Sequence, residues 1–234
     1  MNPVAVITGG TGGLGRAIVP RLADRGFKLG VSYVIPSEAT ELEEETGLDE
    51  DRLMLRRVDS TDSEALNGFM KEVRADLGPI GVLIALVGGW AGGRDVEETD
   101  DVRFERMLDL NLRSAFYAVR ASIPHLRESG RGRIILVGSR AAYEAPPGQA
   151  AFNIAKAGVA ALAKSVAHEL TDTEITANAI LPSLIDTQAT RTAVPFADFI
   201  DLPKPADIAG VIDFLCMDES QVINGAAIPT YGKT

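Results

Sequence analysis

The sequence predicts an α/β protein: a single doubly wound parallel sheet of about seven strands, with helices on both faces. Short apolar runs alternate with longer amphipathic stretches along the whole chain of 234 residues. The apolar runs show little polar alternation, which is typical of strands buried on both faces of a parallel sheet. No stretch resembles a linker or an internal repeat, so we expect one domain over residues 1–234.

The strands are the short apolar, β-branched runs that lie between turn residues. They are predicted at Val4–Thr8, Phe27–Val34, Leu53–Val58, Gly81–Val87, Arg133–Val137, Ile175–Leu181 and Ala226–Pro229. The helices are the stretches whose apolar residues recur every three or four positions. They are predicted at Leu14–Arg25, Ser37–Thr46, Asp62–Leu77, Val102–Leu126, Gln149–Leu170 and Pro205–Leu215. The segment 185–203 is rich in Thr, Ala and Pro with poor periodicity, so we expect an irregular stretch or a mobile lid there.

The composition argues against several classes of protein. No apolar run approaches the roughly 18 residues of a membrane span, and the first run, Val4–Ile7, meets glycines too soon for a signal peptide. A net charge of −10 argues against a nucleic-acid partner. With one cysteine, Cys216, and two histidines, neither an intrachain disulfide nor a structural zinc site is expected. The cysteine usage indicates a reducing compartment, and we expect a cytoplasmic location.

A glycine-rich loop joins the first predicted strand to the first predicted helix. It reads Thr8-Gly9-Gly10-Thr11-Gly12-Gly13-Leu14-Gly15. Glycines in this place allow a tight turn and a close approach of the backbone to a pyrophosphate, which the N-terminus of the following helix attracts. An ordinary glycine-rich β–α turn is the alternative, but the strand–loop–helix context favours a dinucleotide site.

The spacing of this loop, Thr-Gly-x3-Gly-x-Gly, resembles that of the short-chain dehydrogenase/reductase family, and other segments agree over nearly the whole chain. The resemblance implies a Rossmann-type fold, NAD or NADP as cofactor, and the reduction of a small-molecule carbonyl or quinonoid substrate. It implies cofactor contacts by the loop residues Gly9, Thr11, Gly13, Leu14 and Gly15. Beyond the loop it implies an adenine contact for Asp59, a water-holding role for Asn111, the catalytic serine in Ser139, the motif lysine in Lys156, and cofactor contacts for Gly88, Pro182 and Thr187.

Two segments are similar to the dihydropteridine reductase branch of that family. They are Gly88-Gly89-Trp90-Ala91-Gly92-Gly93 and Val194-Pro195-Phe196-Ala197-Asp198-Phe199. The family's common Asn-Asn-Ala-Gly motif is replaced by Ala85-Leu86-Val87-Gly88. Trp90 is then either an ordinary loop aromatic or a ring beside a flat cofactor or a pterin-like substrate.

The sequence departs from the family at its motif tyrosine. Phe152 stands four residues before Lys156 and 13 residues after Ser139, where the family has the tyrosine that gives its proton to the reduced carbonyl oxygen. Loss of a general acid typically costs on the order of 10²–10⁴ in rate. Three explanations stay open: an inactivated form of an active enzyme, an atypical enzyme with Tyr143 as the proton donor, or a protein that binds cofactor without reducing anything.

The choice between NAD and NADP depends on the end of the second strand. In the family, an acidic residue there binds the ribose diol of NAD, and basic residues accept the 2′-phosphate of NADP. Here no Arg or Lys follows the strand, Arg16 lies on the first helix, and the first carboxylate is Glu38. Because Ser32 and Ser37 could take a phosphate, the sequence slightly favours NADP.

The predicted helix Gln149–Leu170 is apolar nearly all round and rich in alanine. A helix that is apolar on every side is expected to be buried on every side, so one face needs a partner. In the resembling family this helix packs against its copy in a neighbouring subunit. We therefore expect a homodimer or a homotetramer.

Two function classes besides a reductase remain open on the sequence. One is a nucleotide-binding protein without turnover. The other is a lyase or isomerase on the same fold, with Tyr143 or Lys156 as the acid or base. Oxidation of the cofactor under single-turnover conditions separates a reductase from both.

Overall fold

A computed structural model describes residues 4–195 and 197–233. Within these residues, seven parallel strands form one sheet in the order β3-β2-β1-β4-β5-β6-β7. The strands are β1 (Val4–Thr8), β2 (Lys28–Tyr33), β3 (Leu53–Arg57), β4 (Ile80–Ala85), β5 (Arg131–Val137), β6 (Glu174–Pro182) and β7 (Ala227–Thr230). The predicted doubly wound sheet is confirmed. Its strand order reverses between β1 and β4. In open α/β sheets the ligand-binding crevice lies at such a reversal, outside the carboxyl ends of the strands.

Helices cover both faces of the sheet. They are α1 (Gly15–Asp24), α2 (Pro36–Thr46), α3 (Ser63–Asp76), α4 (Asp101–Leu108), α5 (Ser114–Glu128), α6 (Ala141–Glu144), α7 (Ala150–Glu169), α8 (Gln188–Ala193) and α9 (Pro205–Cys216). A side-chain cap fixes the N-terminus of α3, where Asp62 accepts from the N–H groups of Glu64 and Ala65. None of the helices in the described part of the chain is long and apolar enough to cross a membrane.

The absence of polar alternation in the strands has a direct structural cause. Val4 and Val6 of β1 point to the core under α3, α5 and α7, whereas Ala5 and Ile7 point to the core under α1, α2 and α9. All four side chains have no exposed surface. Because both faces of the sheet are covered, both sets of strand residues must be apolar.

The long helical stretch predicted at Val102–Leu126 is confirmed, but it is not regular throughout. The structure has α4, then a π-helical turn at Asp109–Arg113, then α5. Within this turn the Asn111 Nδ2 donates to the carbonyl oxygen of Met107, four residues back, at 3.1 Å. A side chain that takes a carbonyl of the helical ladder interrupts the regular pattern at that point.

The segment 185–203 contains a helix that its poor periodicity did not predict. Thr187 caps α8 by accepting from the N–H of Thr190 at 3.1 Å. An ion pair between Asp186 and Arg191 at 2.6 Å spans the same turn. The N–H of Asp186 also donates to the carbonyl oxygen of Pro203 at 3.0 Å, which joins the two ends of the segment. Phe196, part of the stretch similar to dihydropteridine reductases, lies outside the described residues.

Candidate active site

The glycine loop 8–15 folds closely against β2 at the strand-order reversal. Gly9 has a φ of +67°, and its N–H donates to Ser32 Oγ at 3.1 Å. A Cβ added at Gly15 would lie 2.2 Å from the carbonyl oxygen of Gly10, so the loop admits no side chain there. The turn leads directly into the N-terminus of α1, as a pyrophosphate site requires.

The structure brings Thr187 against the glycine loop. A Cβ added at Gly13 would lie 3.0 Å from Thr187 Cγ2 and 3.2 Å from Thr187 Cβ. Gly13 itself is exposed. Two residues predicted to contact the cofactor, 174 positions apart in sequence, therefore face each other across the carboxyl end of the sheet.

Three further predicted residues meet at the end of β4. A Cβ on Gly88 would lie 2.9 Å from Asn111 Oδ1 and 3.1 Å from Lys156 Nζ, so only glycine fits between these two side chains. Asn111 Oδ1 accepts from the N–H of Gly89 at 3.1 Å, and its Nδ2 donates to the carbonyl oxygen of Gly89 at 2.9 Å. The buried amide thus holds the loop after β4 against the π-helical turn.

Lys156 is buried beside Phe152 on α7. Its Nζ donates to the carbonyl oxygen of Val137 at 2.8 Å and lies 5.9 Å from the centre of the Phe152 ring. Within residues 4–195 and 197–233, no carboxylate forms an ion pair with this ammonium group. Burial without a counter-charge disfavours the charged form and lowers the pKa of Lys156 to about 8.

This pKa makes stability depend on pH in a predictable way. Between pH 8 and about 10.5 the unfolded chain keeps a proton on Lys156 that the folded chain releases, so the free energy of unfolding should rise with pH. Burial raises the pKa of Cys216, and this opposes the rise at the alkaline end. Because Lys156→Met keeps Cys216, we expect the wild-type minus variant difference in the free energy of urea unfolding to increase from pH 7.5 to 9.5. If this difference between the wild type and Lys156→Met does not change with pH, the pKa of Lys156 is not lowered in the folded chain.

Ser139 follows β5 and is half-buried. Its Oγ accepts from the N–H of Ala141 at 3.1 Å, so the hydroxyl can still donate its own hydrogen to a ligand. The next N–H, of Arg140, donates to the carbonyl oxygen of Pro182 at 2.8 Å, which ties this loop to the end of β6. Tyr143, on α6, leaves 66% of its surface exposed.

Asp59 lies at the carboxyl end of β3, at the same edge of the sheet. Its Oδ1 accepts from the N–H of Thr61 at 2.9 Å and from Thr61 Oγ1 at 2.7 Å. The side chain is therefore fixed within its own turn, at the side of the crevice where an adenine contact is predicted.

Sequence reasoning missed a hydrogen-bonded chain that fixes Trp90. Its Nε1 donates to Gln149 Oε1 at 2.7 Å, Gln149 Nε2 donates to Asn153 Oδ1 at 3.0 Å, and Asn153 Nδ2 donates to the carbonyl oxygen of Pro146 at 2.9 Å. The four-residue spacing of Gln149 and Asn153 at a helix start was a local signal for their pairing. Trp90 is nonetheless 51% exposed.

Of the two serines that the sequence suggested as phosphate ligands, Ser37 is exposed in the first turn of α2, but Ser32 cannot take that role. Its side chain is 1% exposed, and its Oγ accepts from Gly9 as described above. Thr11 Oγ1 donates to Glu38 Oε2 at 2.8 Å, which places a carboxylate beside the glycine loop. Arg16 forms ion pairs with Glu41 and Glu45 of α2. The cation nearest the loop is thus already paired with two carboxylates.

The chain is similar in sequence to known proteins along most of its length. A family model described as short chain dehydrogenase matches residues 3–197. The chain is 32% identical to the 3-oxoacyl-(acyl-carrier-protein) reductase MabA of Mycobacterium bovis, over 97% of this chain and 90% of that protein. It is 30% identical to the 3-oxoacyl-(acyl-carrier-protein) reductase FabG of Staphylococcus aureus, over 99% of this chain and 98% of that protein.

A solved structure shows the same fold and a similar sequence. The short-chain dehydrogenase/reductase from Serratia marcescens superposes with a TM-score of 0.91 at 29% identity, over 99% of this chain and 97% of that one. The family model covers most of the chain, and the curated relatives align along nearly all of it. The protein belongs to the short-chain dehydrogenase/reductase family of oxidoreductases.

Proposed function

We propose that the protein transfers a hydride between a nicotinamide dinucleotide and an unsaturated carbon of a small molecule, a carbonyl or quinonoid acceptor in the simplest case. The observation that carries this proposal is the convergence of Gly88, Asn111 and Lys156 beside the glycine loop, at the strand-order reversal. The glycines at 13 and 88 let the predicted cofactor-contacting residues pack closely, since a Cβ at Gly13 would meet Thr187 and one at Gly88 would meet Asn111 and Lys156. The similarity to dihydropteridine reductases remains a prediction within this proposal.

In this proposal the chain's residues bind and orient, and the dinucleotide supplies the hydride. The N-terminus of α1 holds the pyrophosphate. The Lys156 ammonium donates to the ribose hydroxyls, Asp59 contacts the adenine, and Thr187 and Pro182 border the nicotinamide end. Ser139 donates a hydrogen bond to the acceptor. The ring of Phe152 occupies the slot from which a family tyrosine would give a proton.

We propose NADH as the preferred dinucleotide and revise the slight preference for NADP. Glu38 lies 23 residues after Gly15, near the spacing at which an acidic residue binds the ribose diol of NAD. A 2′-phosphate would meet this carboxylate and, on α2, two more that already pair with Arg16. Calorimetry with NADH and NADPH tests both proposals. Tighter NADPH binding would overturn the choice of dinucleotide, and binding of neither would overturn the function.

The second candidate is a nucleotide-binding protein without turnover, and Phe152 favours it. A lyase or isomerase that uses Tyr143 or Lys156 is the third. An experiment in which one equivalent of NADH is mixed with excess protein and acceptor distinguishes the reductase from the other two functions. A reductase oxidises the NADH once, whereas the other two classes leave its absorbance at 340 nm unchanged.

We also propose that α7 forms a subunit interface. Ile154 is 52% exposed, and Ala157 and Ala161 are exposed on the same helix. Phe116 on α5, which packs against α7, is 44% exposed. By contrast, Ala163 has no exposed surface and belongs to the core of the subunit, so the helix is not available on every side. The exposed apolar stripe is the part that needs a partner.

Ala161→Arg should therefore shift the protein toward the monomer. The substitution places an unpaired charge where a second copy would bury it. Sedimentation velocity at micromolar concentration measures the effect. Glu44→Arg is the matched control, since it adds an arginine at an exposed position of α2, on the opposite face of the sheet. A wild-type protein that sediments as a monomer would remove the interface from the proposal.

A further inference from the structure

No phenol stands at position 152, from which the family's tyrosine would give its proton to the acceptor. The ring of Phe152 carries no polar atom. Asn111 Nδ2 already donates to the carbonyl oxygens of Gly89 and Met107. Lys156 Nζ is buried and donates to Val137, while Tyr143 lies mainly in solvent. Ser139 keeps a hydroxyl hydrogen, but an alcohol is a weak acid.

This restricts which acceptors can be reduced readily. Hydride addition to a neutral ketone produces an alkoxide, which needs a proton as it forms. Hydride addition to a C=N⁺ bond produces a neutral amine. In that reaction the hydride and its two electrons pass from the dihydronicotinamide to the carbon, the π pair moves to nitrogen, and no proton is transferred. Atoms and charge balance because the acceptor loses the positive charge that the nicotinamide gains.

Aromatic side chains line the face of α7 that borders the site. The loop after β4 follows this face from Gly88, beside Lys156, to Trp90, hydrogen-bonded to Gln149. Gln149 immediately precedes α7, Lys156 lies seven residues further along the chain, and Phe152 lies between them. A Cβ at Gly92 would lie 2.4 Å from Trp90 Cζ2, so the indole rests on bare backbone. Trp90 is thus a fixed flat ring that presents half of its surface to solvent.

The loops at this edge of the sheet are also acidic. Residues 88–100 carry four carboxylates and one arginine, and residues 183–203 carry three carboxylates and one arginine. Their formal charges of −3 and −2 make up half of the net charge of the chain. Arg94 pairs with Asp100 and Arg191 with Asp186, so the remaining carboxylates of these loops give the excess negative charge. An excess of negative charge raises the local concentration of cations, and the face of an indole attracts them.

We propose that the acceptor of this site is a planar organic cation with a C=N⁺ bond, an iminium ion held against Trp90. This deepens the proposed function and rests on it. The absence of a phenol at Phe152 then suits the chemistry, since the reaction consumes a hydride alone. Trp90 is a specificity-determining residue in this proposal, and Gln149 and Asn153 are positioning residues for it.

The test compares two acceptors of the same size with wild-type protein and Phe152→Tyr. N-methyl-3,4-dihydroisoquinolinium is a permanently charged planar iminium, and α-tetralone is a neutral bicyclic ketone. With NADH, the wild type should reduce the iminium about 10²-fold faster than the ketone, after subtraction of the uncatalysed rate. Phe152→Tyr should narrow that ratio by about 10²-fold, the contribution of a positioned acid, because it accelerates the ketone selectively.

Trp90 provides a readout that does not depend on turnover, because it is the only tryptophan of the chain. The iminium should quench its fluorescence saturably, and α-tetralone should bind at least about 5-fold more weakly, the value of one cation–π contact. Gln149→Leu should weaken iminium binding by about 5-fold through the loss of the indole's position. A merely structural role for Gln149 would alter binding of both compounds equally, and that result would overturn the role of Trp90.

The outcomes separate this inference from the function on which it rests. If calorimetry shows that neither NADH nor NADPH binds, both fall. If NADH binds and the wild type reduces α-tetralone as fast as the iminium, or reduces neither, the iminium proposal falls and the dinucleotide site stands.

Discussion

Phe152→Tyr should raise the rate of ketone reduction by about 10²-fold or more, the span expected for a positioned general acid. The ring lies 5.9 Å from Lys156 Nζ, close enough for the ammonium to lower the pKa of a phenol at this position. The side chain is half-buried at the cleft, so one added hydroxyl has little packing cost. Steady-state oxidation of NADH with α-tetralone and with a quinone measures the gain.

Tyr143→Phe is the companion variant. If Tyr143 only borders the cleft, its removal should not change the rate. If it is a substitute donor, its removal should abolish the residual ketone reduction. A wild type that reduces ketones at ordinary enzymatic rates, with no gain from Phe152→Tyr, would show that the missing phenol never limited the reaction.

Gly13→Asp should abolish dinucleotide binding, with a loss of at least about 10²-fold in affinity and the fold retained. The new side chain would meet Thr187, whose Cγ2 lies 3.0 Å from the Cβ position, and its charge would stand where the pyrophosphate must lie. Because Gly13 is exposed, the core is not disturbed. Calorimetry with NADH measures the affinity, and circular dichroism checks the fold.

Two other glycines provide the comparison for this variant. Gly68→Asp places the same carboxylate in open space on α3 and should leave the affinity for NADH near its wild-type value. Gly15→Ala should instead destabilise the fold, since its Cβ would lie 2.2 Å from the backbone of Gly10. Unchanged NADH affinity in Gly13→Asp would remove the pyrophosphate site from the glycine loop.

The sheet could be predicted from the sequence because its determinants are local. Each strand is a short apolar run, and burial on both faces leaves a signal in every residue of that run. The π-helical turn could not be predicted in this way. The side chain of Asn111, which interrupts the helix at Met107, is held by its bonds to Gly89, a residue 22 positions away that only the fold brings near.

The same difference between local patterns and long-range contacts explains which parts of the candidate site could be predicted. Its glycines and Lys156 follow a spacing that can be read along the chain. The prediction for Ser32 failed because a hydroxyl at a strand end can serve as a phosphate ligand or as an acceptor for a backbone N–H. The N–H that it accepts from belongs to Gly9, 23 residues away, and only the fold brings the two together. Likewise, Trp90 and Gln149 are 59 residues apart, so their hydrogen bond left no pattern in the sequence.

The bonds of Asn111 make the cleft loop and the neighbouring helix a single cooperative unit. One amide satisfies both backbone groups of Gly89 and, with its second hydrogen, the carbonyl oxygen of Met107. Neither segment can open without breaking bonds that also hold the other. Backbone amides near Gly89 and in the last turn of α4 should therefore exchange hydrogen with solvent in the same opening event. Asn111→Leu would accelerate exchange at both places together.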